Sequence, residues 1–209
     1  DDVESRGLGD VYKRQGQING LSVIEYPGTP VCVGEPSRIS CLVQFGDGEV
    51  VDVERKNELA GNLHGKGMMI SEACLASILE LPSQLPFSAS LVFEQSYGEI
   101  DGDSASLAIF SVLVSALSDL PLPQNIAITG TIDQFGLVHA VGGVNDKIEG
   151  FFTICQRRGL TGKQGVIIPA TTIQQLSLSD EVVEAVKNEQ FFIYQVEDIY
   201  QTCLLYTSP

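Results

Sequence analysis

Histidine is scarce in this 209-residue chain, which contains only His64 and His139 and has no tryptophan. The H-E-x-x-H pair of zinc metalloproteases is absent, so the sequence does not support that class. The G-x-S-x-G turn of α/β-hydrolases and the S-x-x-K pattern are also absent, which excludes two common settings for a nucleophilic serine. Gly65-Lys66 lacks the G-x-x-x-x-G-K-[ST] spacing, and we therefore predict no ATP, other cofactor or metal site on this chain.

Basic residues are few compared with acidic ones. The chain has 12 Lys and Arg against 27 Asp and Glu, a formal net charge of −15. Such a charge repels polyanions, so we expect neither nucleic acid nor an anionic membrane as a partner. No apolar run in the sequence is long enough to span a bilayer.

Cysteine is present without any metal-binding or redox spacing. None of the five cysteines belongs to a C-x-x-C pair, and four lie in apolar, strand-like or helical surroundings: Cys32, Cys41, Cys74 and Cys155. We expect these four to be buried thiols in a reducing cytoplasm, rather than disulfides or zinc ligands.

Hydrophobic periodicity predicts a mixed α/β domain. Strands are predicted at 21–26 and 38–45, with a hairpin turn at 46–48 leading into a strand at 50–53. Residues 126–129 and 137–140 are predicted to form a second hairpin. Further strands are predicted at 91–93 and 166–168, and helices at 66–81, from 104 to about 120, around Lys147 to about 158, and at 180–188.

Two residues stand out chemically, Ser104 in Asp101-Gly-Asp-Ser-Ala-Ser106 and Lys147 after Gly142-Gly143. A serine hydroxyl needs a neighbouring base, and a lysine amine can serve when burial or nearby positive charge keeps it unprotonated. We predict that Ser104 opens a buried helix capped by Asp103, and that Lys147 lies near the start of another helix. The positive end of that helix disfavours a protonated amine, and N–H groups near Ser104 are candidates for an oxyanion hole.

These motifs resemble the proteolytic domain of the Lon family of ATP-dependent proteases. In that family a serine at the start of one helix is followed by a lysine after a Gly-Gly turn, and here the two lie at the family spacing of 43 residues. The serine motif resembles that of the Lon B branch, and Thr129 falls where the family places a threonine that orients the lysine. Stretches 54–70 and 162–169 also resemble a bacterial subgroup of Lon homologues, and the resemblance extends from about Gly16 to Gln201.

The resemblance implies a Lon peptidase-type α/β (α+β) fold over residues 16–202, with antiparallel strands first and helices that carry Ser104 and Lys147. It implies a serine endopeptidase that uses these two residues as a dyad, supported by Thr129 and Asp103, to degrade unfolded or damaged proteins. ATP and Mg²⁺ would then bind an upstream ATPase module, and the protein would form a six-membered homo-oligomeric ring in the bacterial cytoplasm.

Three alternatives stay open from the sequence. His139 could form a triad with Ser104. Asp103, a carboxylate beside the nucleophile, could hold Lys147 protonated in an inactive resting state. The chain could also be a non-catalytic adaptor or scaffold that retains the peptidase fold for assembly.

The two ends of the chain have an unusual coding property. Residues 5–15 can be encoded by a transposase-based sequencing adapter, and the reverse complement of the same DNA encodes residues 203–209 in a shifted frame. We therefore expect residues 1–15, or at least 5–15, and residues 203–209 to be adapter-derived. The remaining chain would be an open reading frame from assembled environmental DNA that lacks its natural termini.

Overall fold

In the computed structural model, a seven-stranded mixed sheet lies between two layers of helices. The structure describes residue 9 and residues 12–46, 48–53, 62–80, 86–94 and 102–208. The strands are β1 (Lys13–Arg14), β2 (Gln17–Glu25), β3 (Cys32–Phe45), β4 (Val50–Asp52), β5 (Phe87–Glu94), β6 (Leu122–Pro123), β7 (Ile126–Ile128), β8 (Thr131–Ile132), β9 (Val138–His139), β10 (Gln164–Pro169) and β11 (Phe191–Val196). The helices are α1 (Asn62–Ile78), α2 (Ser106–Ser118), α3 (Val144–Arg158), α4 (Asp180–Lys187) and α5 (Ile199–Thr207), with a 3₁₀ turn at Ala170–Gln175.

The large sheet has the strand order β11-β10-β7-β2-β3-β5-β4. Strands β2, β3 and β5 form an antiparallel block, whereas β2, β7, β10 and β11 run parallel to one another. This mixture confirms the predicted α/β class with antiparallel strands at the beginning. Strand β7 lies between β10 and β2, away from both edges of the sheet. The residues that follow β7 can therefore reach the helix layers on both faces.

Each face of the sheet has its own hydrophobic core. On one face, α1, α2 and α5 cover a cluster that includes Ile18, Ile39, Leu107, Ile109 and Leu113. On the other face, α3 and α4 cover a cluster built around Phe151, Phe152 and Phe191, in which Phe152 and Phe191 meet edge to face with ring centroids 5.2 Å apart. The Ser104 and Lys147 segments therefore belong to opposite layers of the domain.

Helix α2 is apolar nearly all round, which explains why it is buried. Its sequence, SLAIFSVLVSALS, places three serines in later turns of this buried helix. Ser111 and Ser118 donate to the carbonyl oxygens of Leu107 and Val114, one turn earlier, at 2.7 and 2.6 Å. These hydroxyls are satisfied within the helix itself, so they need no polar partner in the core.

Both predicted hairpins are wrong in their pairing. Strand β4 does not pair with β3: it pairs in parallel with β5, which lies between them. Eight residue pairs join β3 to β5, so β5 takes the place beside β3 that the prediction gave to β4. In the second case, β9 does form a hairpin, but with β8, because β7 pairs with β2 and β10 in the large sheet. Asp47, in the first predicted turn, lies outside the described residues.

Several element boundaries differ from the predictions. Helix α1 begins at Asn62, four residues before the predicted start at Lys66, and ends at Ile78, three residues before the predicted end at Leu81. Helix α2 ends at Ser118, where Asp119 adopts a left-handed conformation with φ 56°. Strand β11 and helix α5 were not predicted from the sequence at all.

The cysteines are all free thiols, and three of the four predicted to be buried are buried. Cys32 contradicts the prediction because it lies near the exposed end of the β2–β3 hairpin. Burial raises the pKa of the Cys41 thiol to about 12, so this thiol stays protonated at neutral pH.

The two ends of the chain pack against the domain. Strand β1 pairs with β6, and Tyr206 in α5 is 4% exposed within the first core cluster. The adapter origin of these segments stays a prediction, and residues 1–8, 10, 11 and 209 lie outside the described part of the chain. Among the described helices, none combines the length and apolar character needed to cross a membrane.

Candidate active site

Ser104 lies in a turn that precedes helix α2. The helix begins at Ser106, with Ala105 as its N-cap residue and no side-chain cap, so the prediction that Asp103 caps a helix opened by Ser104 is wrong. Instead, the main-chain oxygen of Asp103 accepts from Ser106 N at 3.0 Å, which closes the turn. Ser104 itself is only partly buried, so the turn presents it at the edge of the core.

Lys147 lies in the first turn of helix α3, as predicted. Gly143 is the N-cap residue in a left-handed conformation with φ 65°, which glycine adopts without strain. The main-chain N–H of Lys147 donates to the Gly143 oxygen at 3.0 Å. Although lysine is usually exposed, Lys147 is only 3% exposed and points into the domain.

The Lys147 amine has one hydrogen-bond partner among the described residues, the hydroxyl of Thr129. Lys147 Nζ donates to Thr129 Oγ1 at 3.2 Å. Thr129 follows strand β7, is fully buried, and donates its own N–H to the Ile167 oxygen at 3.1 Å. Thr129 and Lys147 are therefore in direct contact, and the orienting role of Thr129 stays a prediction.

Gly130 joins the threonine to the serine turn. Its N–H donates to the Ser104 oxygen at 3.0 Å, and its own oxygen accepts from Leu107 N at 3.1 Å. A Cβ on Gly130 would lie 2.8 Å from Leu107 Cδ2, so the Leu107 side chain would have to shift to make room for it. Thr129 and Gly130 together therefore contact the lysine helix and the serine turn from adjacent positions in the chain.

The electrostatics of Lys147 are governed by desolvation. Burial lowers its pKa from 10.5 to about 8, because a charged amine loses the favourable interaction with water. Within the described part of the chain, no carboxylate forms an ion pair with Lys147 that would counter this effect. A substantial fraction of the amine is therefore neutral in mildly alkaline solution, as a base must be.

Asp103 bonds to Thr131, whereas the inactive resting state would require it to pair with Lys147. Its Oδ1 accepts a long hydrogen bond of 3.4 Å from Thr131 Oγ1, on strand β8. The ion pair with Lys147 that would hold the amine protonated is not formed in this structure. Asp103 thus contributes to the contact between the serine turn and β8.

His139 also has a partner of its own. Its Nε2 lies 2.8 Å from Asp133 Oδ2, and its side chain is 53% exposed. The pair holds the turn between β8 and β9, where Asp133 also accepts from the main-chain N–H of Phe135 and Leu137. The structure gives no hydrogen bond between His139 and Ser104.

A cavity of about 560 Å³ lies elsewhere on the domain, between residues near the two ends of the chain and strands β10 and β11. Neither Ser104, Lys147 nor Thr129 lines it. Among the described residues, no group of three histidine, cysteine or acidic side chains could hold a metal ion.

Sequence reasoning missed Gly130 and Thr131 as connecting residues. The only local signal is the run Thr129-Gly-Thr131 directly after a buried strand. That pattern does not specify which segments the residues contact, because their partners lie 23 to 28 residues away in the sequence.

Comparison with known proteins assigns this α/β domain to a family. The profile of the Lon protease (S16) C-terminal proteolytic domain matches residues 98–205. A Lon protease homologue of Haemophilus influenzae is 88% identical over 190 residues, which make up 91% of this chain and 32% of that protein. A Lon protease homologue of Escherichia coli is 62% identical over 187 residues, or 90% of this chain and 32% of that protein.

An archaeal Lon protease of Methanocaldococcus jannaschii is 58% identical over 144 residues, or 64% of this chain and 21% of that protein. Fold and relatives together place the chain among peptidase domains. More narrowly, the chain belongs to the Lon protease (S16) C-terminal proteolytic domain family, which confirms the resemblance seen in the sequence. It spans about a third of the length of the two bacterial relatives.

Proposed function

We propose that the chain is a serine endopeptidase with a Ser104–Lys147 dyad. The observation that carries the proposal is the buried Lys147 amine, which is bonded to Thr129 at 3.2 Å and has a pKa of about 8. The adjacent Gly130 bonds to the serine turn, so the base and the nucleophile share one support. A buried lysine with no such role would be a costly residue to keep.

In the proposed mechanism, the neutral Lys147 amine accepts the Ser104 proton as Oγ attacks the carbonyl carbon of a peptide bond. The C–N bond then breaks, and the Lys147 ammonium returns the proton to the leaving amine. A water molecule then attacks the acyl carbon and gives a proton to Lys147. As the bond between Ser104 Oγ and the acyl carbon breaks, the Lys147 ammonium returns this proton to Oγ, the carboxylic product leaves, and the neutral amine is restored.

The oxyanion formed in each step needs hydrogen-bond donors. The main-chain N–H groups of Ser104 and Ala105 have no acceptor among the described residues. They lie at the start of helix α2, where the helix dipole also favours negative charge. We assign them to the oxyanion hole.

The wider role of the protein follows from its family. We propose that it degrades unfolded or damaged polypeptides, which an upstream ATPase module with ATP and Mg²⁺ delivers to it. The assembled protein would be a six-membered ring in the bacterial cytoplasm. The competing proposal, a scaffold that has lost catalysis, is disfavoured because Ser104, Lys147 and Thr129 are all present.

The test is covalent labelling of the full 209-residue chain with a peptidyl fluorophosphonate, measured by intact mass between pH 6 and pH 10. We expect one adduct in the wild type and none in Ser104→Ala or Lys147→Ala. Ser118→Ala, an exposed serine on the same helix, and Lys187→Ala, an exposed lysine on α4, are matched controls that should label like the wild type.

The rate should rise across about pH 8 as Lys147 loses its proton. A folded wild-type chain that forms no adduct at any pH would contradict the proposed dyad and support the scaffold alternative.

A further inference from the structure

Helix α3 lies unusually close to strand β3 at the turn that contains Lys147. Gly34, a buried residue of β3, faces the helix main chain directly. A Cβ on Gly34 would overlap the main-chain oxygen of Asp146 and would lie 2.7 Å from Lys147 Cα. Gly34 does not have a positive φ, so this position requires glycine for space rather than for backbone conformation.

The contact is reciprocal, because the helix also presents a glycine. Gly150, one turn after Lys147, faces the main-chain oxygen of Gly34. A Cβ on Gly150 would overlap that oxygen and would lie 2.9 Å from Gly34 Cα. Two glycines on opposing elements thus let two backbones touch, and backbone atoms cannot move aside as the end of a flexible side chain can.

This contact fixes where the lysine side chain starts. Lys147 Nζ reaches Thr129 Oγ1 at 3.2 Å from a helix that is held against β3 by Gly34 and Gly150. We propose that Gly34 and Gly150 are positioning residues that set the location of the Lys147 amine in the site. The inference rests on the proposed dyad for its catalytic meaning, but the position of the amine can be measured without catalysis.

The same contact keeps water away from the amine. If α3 moved outward to accommodate a methyl group, water would enter beside Lys147 and its pKa would rise toward the ordinary lysine value. Burial is the cause of the lowered pKa, and an ion pair with a carboxylate would instead raise it. Besides Lys147, the charged side chains on the elements that meet at this site are Glu35 and Arg38 on β3, Asp103 in the serine turn, and Asp146, Glu149, Arg157 and Arg158 on α3.

The experiment measures the titration of Lys147 by NMR, at the Cε signal of isotope-labelled lysine, in a Ser104→Ala background. Gly34→Ala and Gly150→Ala are each expected to raise the midpoint from about 8 by one pH unit or more. Lys147→Arg identifies the signal. Because Ser104 is absent, this measurement does not depend on catalysis.

Labelling with the peptidyl fluorophosphonate, in chains that retain Ser104, gives the second measurement. A displacement of about 1 Å at a catalytic group costs on the order of a hundredfold in rate, so we expect both variants to label at least tenfold more slowly than the wild type at pH 8. If the wild type itself fails to label while the Lys147 midpoint still rises in the glycine variants, the dyad is wrong and the positioning role stands.

Two controls separate positioning from a general loss of stability. Gly142→Ala, just before the lysine helix, has open space for a methyl group and should change neither measurement. Gly165→Ala, on β10, would place a Cβ 2.6 Å from the Phe192 oxygen, and should lower stability without moving the Lys147 midpoint. An unchanged midpoint in both Gly34→Ala and Gly150→Ala overturns the proposal, as does failure of both of these variants to fold while Gly142→Ala folds.

Discussion

Replacing Lys147 with methionine is expected to make the domain more stable at neutral pH. The wild-type chain buries an amine that is only 3% exposed and whose pKa falls from 10.5 to about 8 on folding. The unfolded chain binds this proton more tightly than the folded one. Below pH 8, burying this amine therefore lowers the free energy of unfolding. Methionine has an unbranched side chain of similar length and no charge, so it removes this loss.

The magnitude follows from the two pKa values. The difference between the unfolded pKa of 10.5 and the folded pKa of about 8 lowers the free energy of unfolding by about 3 kcal/mol. This reduction is fully present below pH 8 and disappears as the pH rises toward 10.5. Methionine also leaves the Thr129 hydroxyl without the amine, at a cost of about 1 kcal/mol. We therefore expect the variant to be more stable by about 2 kcal/mol at pH 7 and nearly equal to the wild type at pH 10.

The assay is urea unfolding, followed by circular dichroism, of wild type and Lys147→Met at pH 7, 8, 9 and 10. Groups that titrate in both proteins cancel in the difference between their free energies of unfolding. Lys187→Met, at a lysine whose side chain is 66% exposed, is the control and should show no pH-dependent difference. A difference between wild type and Lys147→Met that stays constant from pH 7 to pH 10 would refute the argument.

Four further substitutions, at three positions, test the remaining contacts of the site by the rate of fluorophosphonate labelling. Thr129→Val, which keeps the shape but removes the acceptor for Lys147, should slow labelling about tenfold, whereas Thr129→Ser should stay within about threefold of wild type. His139→Ala should leave the rate within about twofold, since His139 is paired with Asp133; a loss similar to that of Ser104→Ala would restore the triad alternative. Asp103→Asn should leave the pH midpoint of labelling near 8, and a clear downward move of that midpoint would indicate the ion-paired resting state.

Local sequence patterns predicted those features of the fold that depend on neighbouring residues. The apolar run after Ser104 identified a buried helix, and the glycine pair before Lys147 identified the start of α3. The pairing of β4 and β7 was mispredicted, because neighbouring strands in the sequence were assumed to be partners. In the structure β4 pairs with β5 and β7 pairs with β2. Contacts between residues distant in the sequence decide both pairings.

For the site, the sequence by itself determined the residue types and their order: a serine in a polar turn, a lysine after two glycines, and a threonine between them. It could not determine that the lysine is buried, because desolvation depends on every segment packed around a side chain. Only the tertiary structure shows that β3 and α3 meet at Gly34 and Gly150, and that the Lys147 amine lies beside Thr129. The burial of Lys147 therefore depends on packing between segments that are more than one hundred residues apart in the sequence.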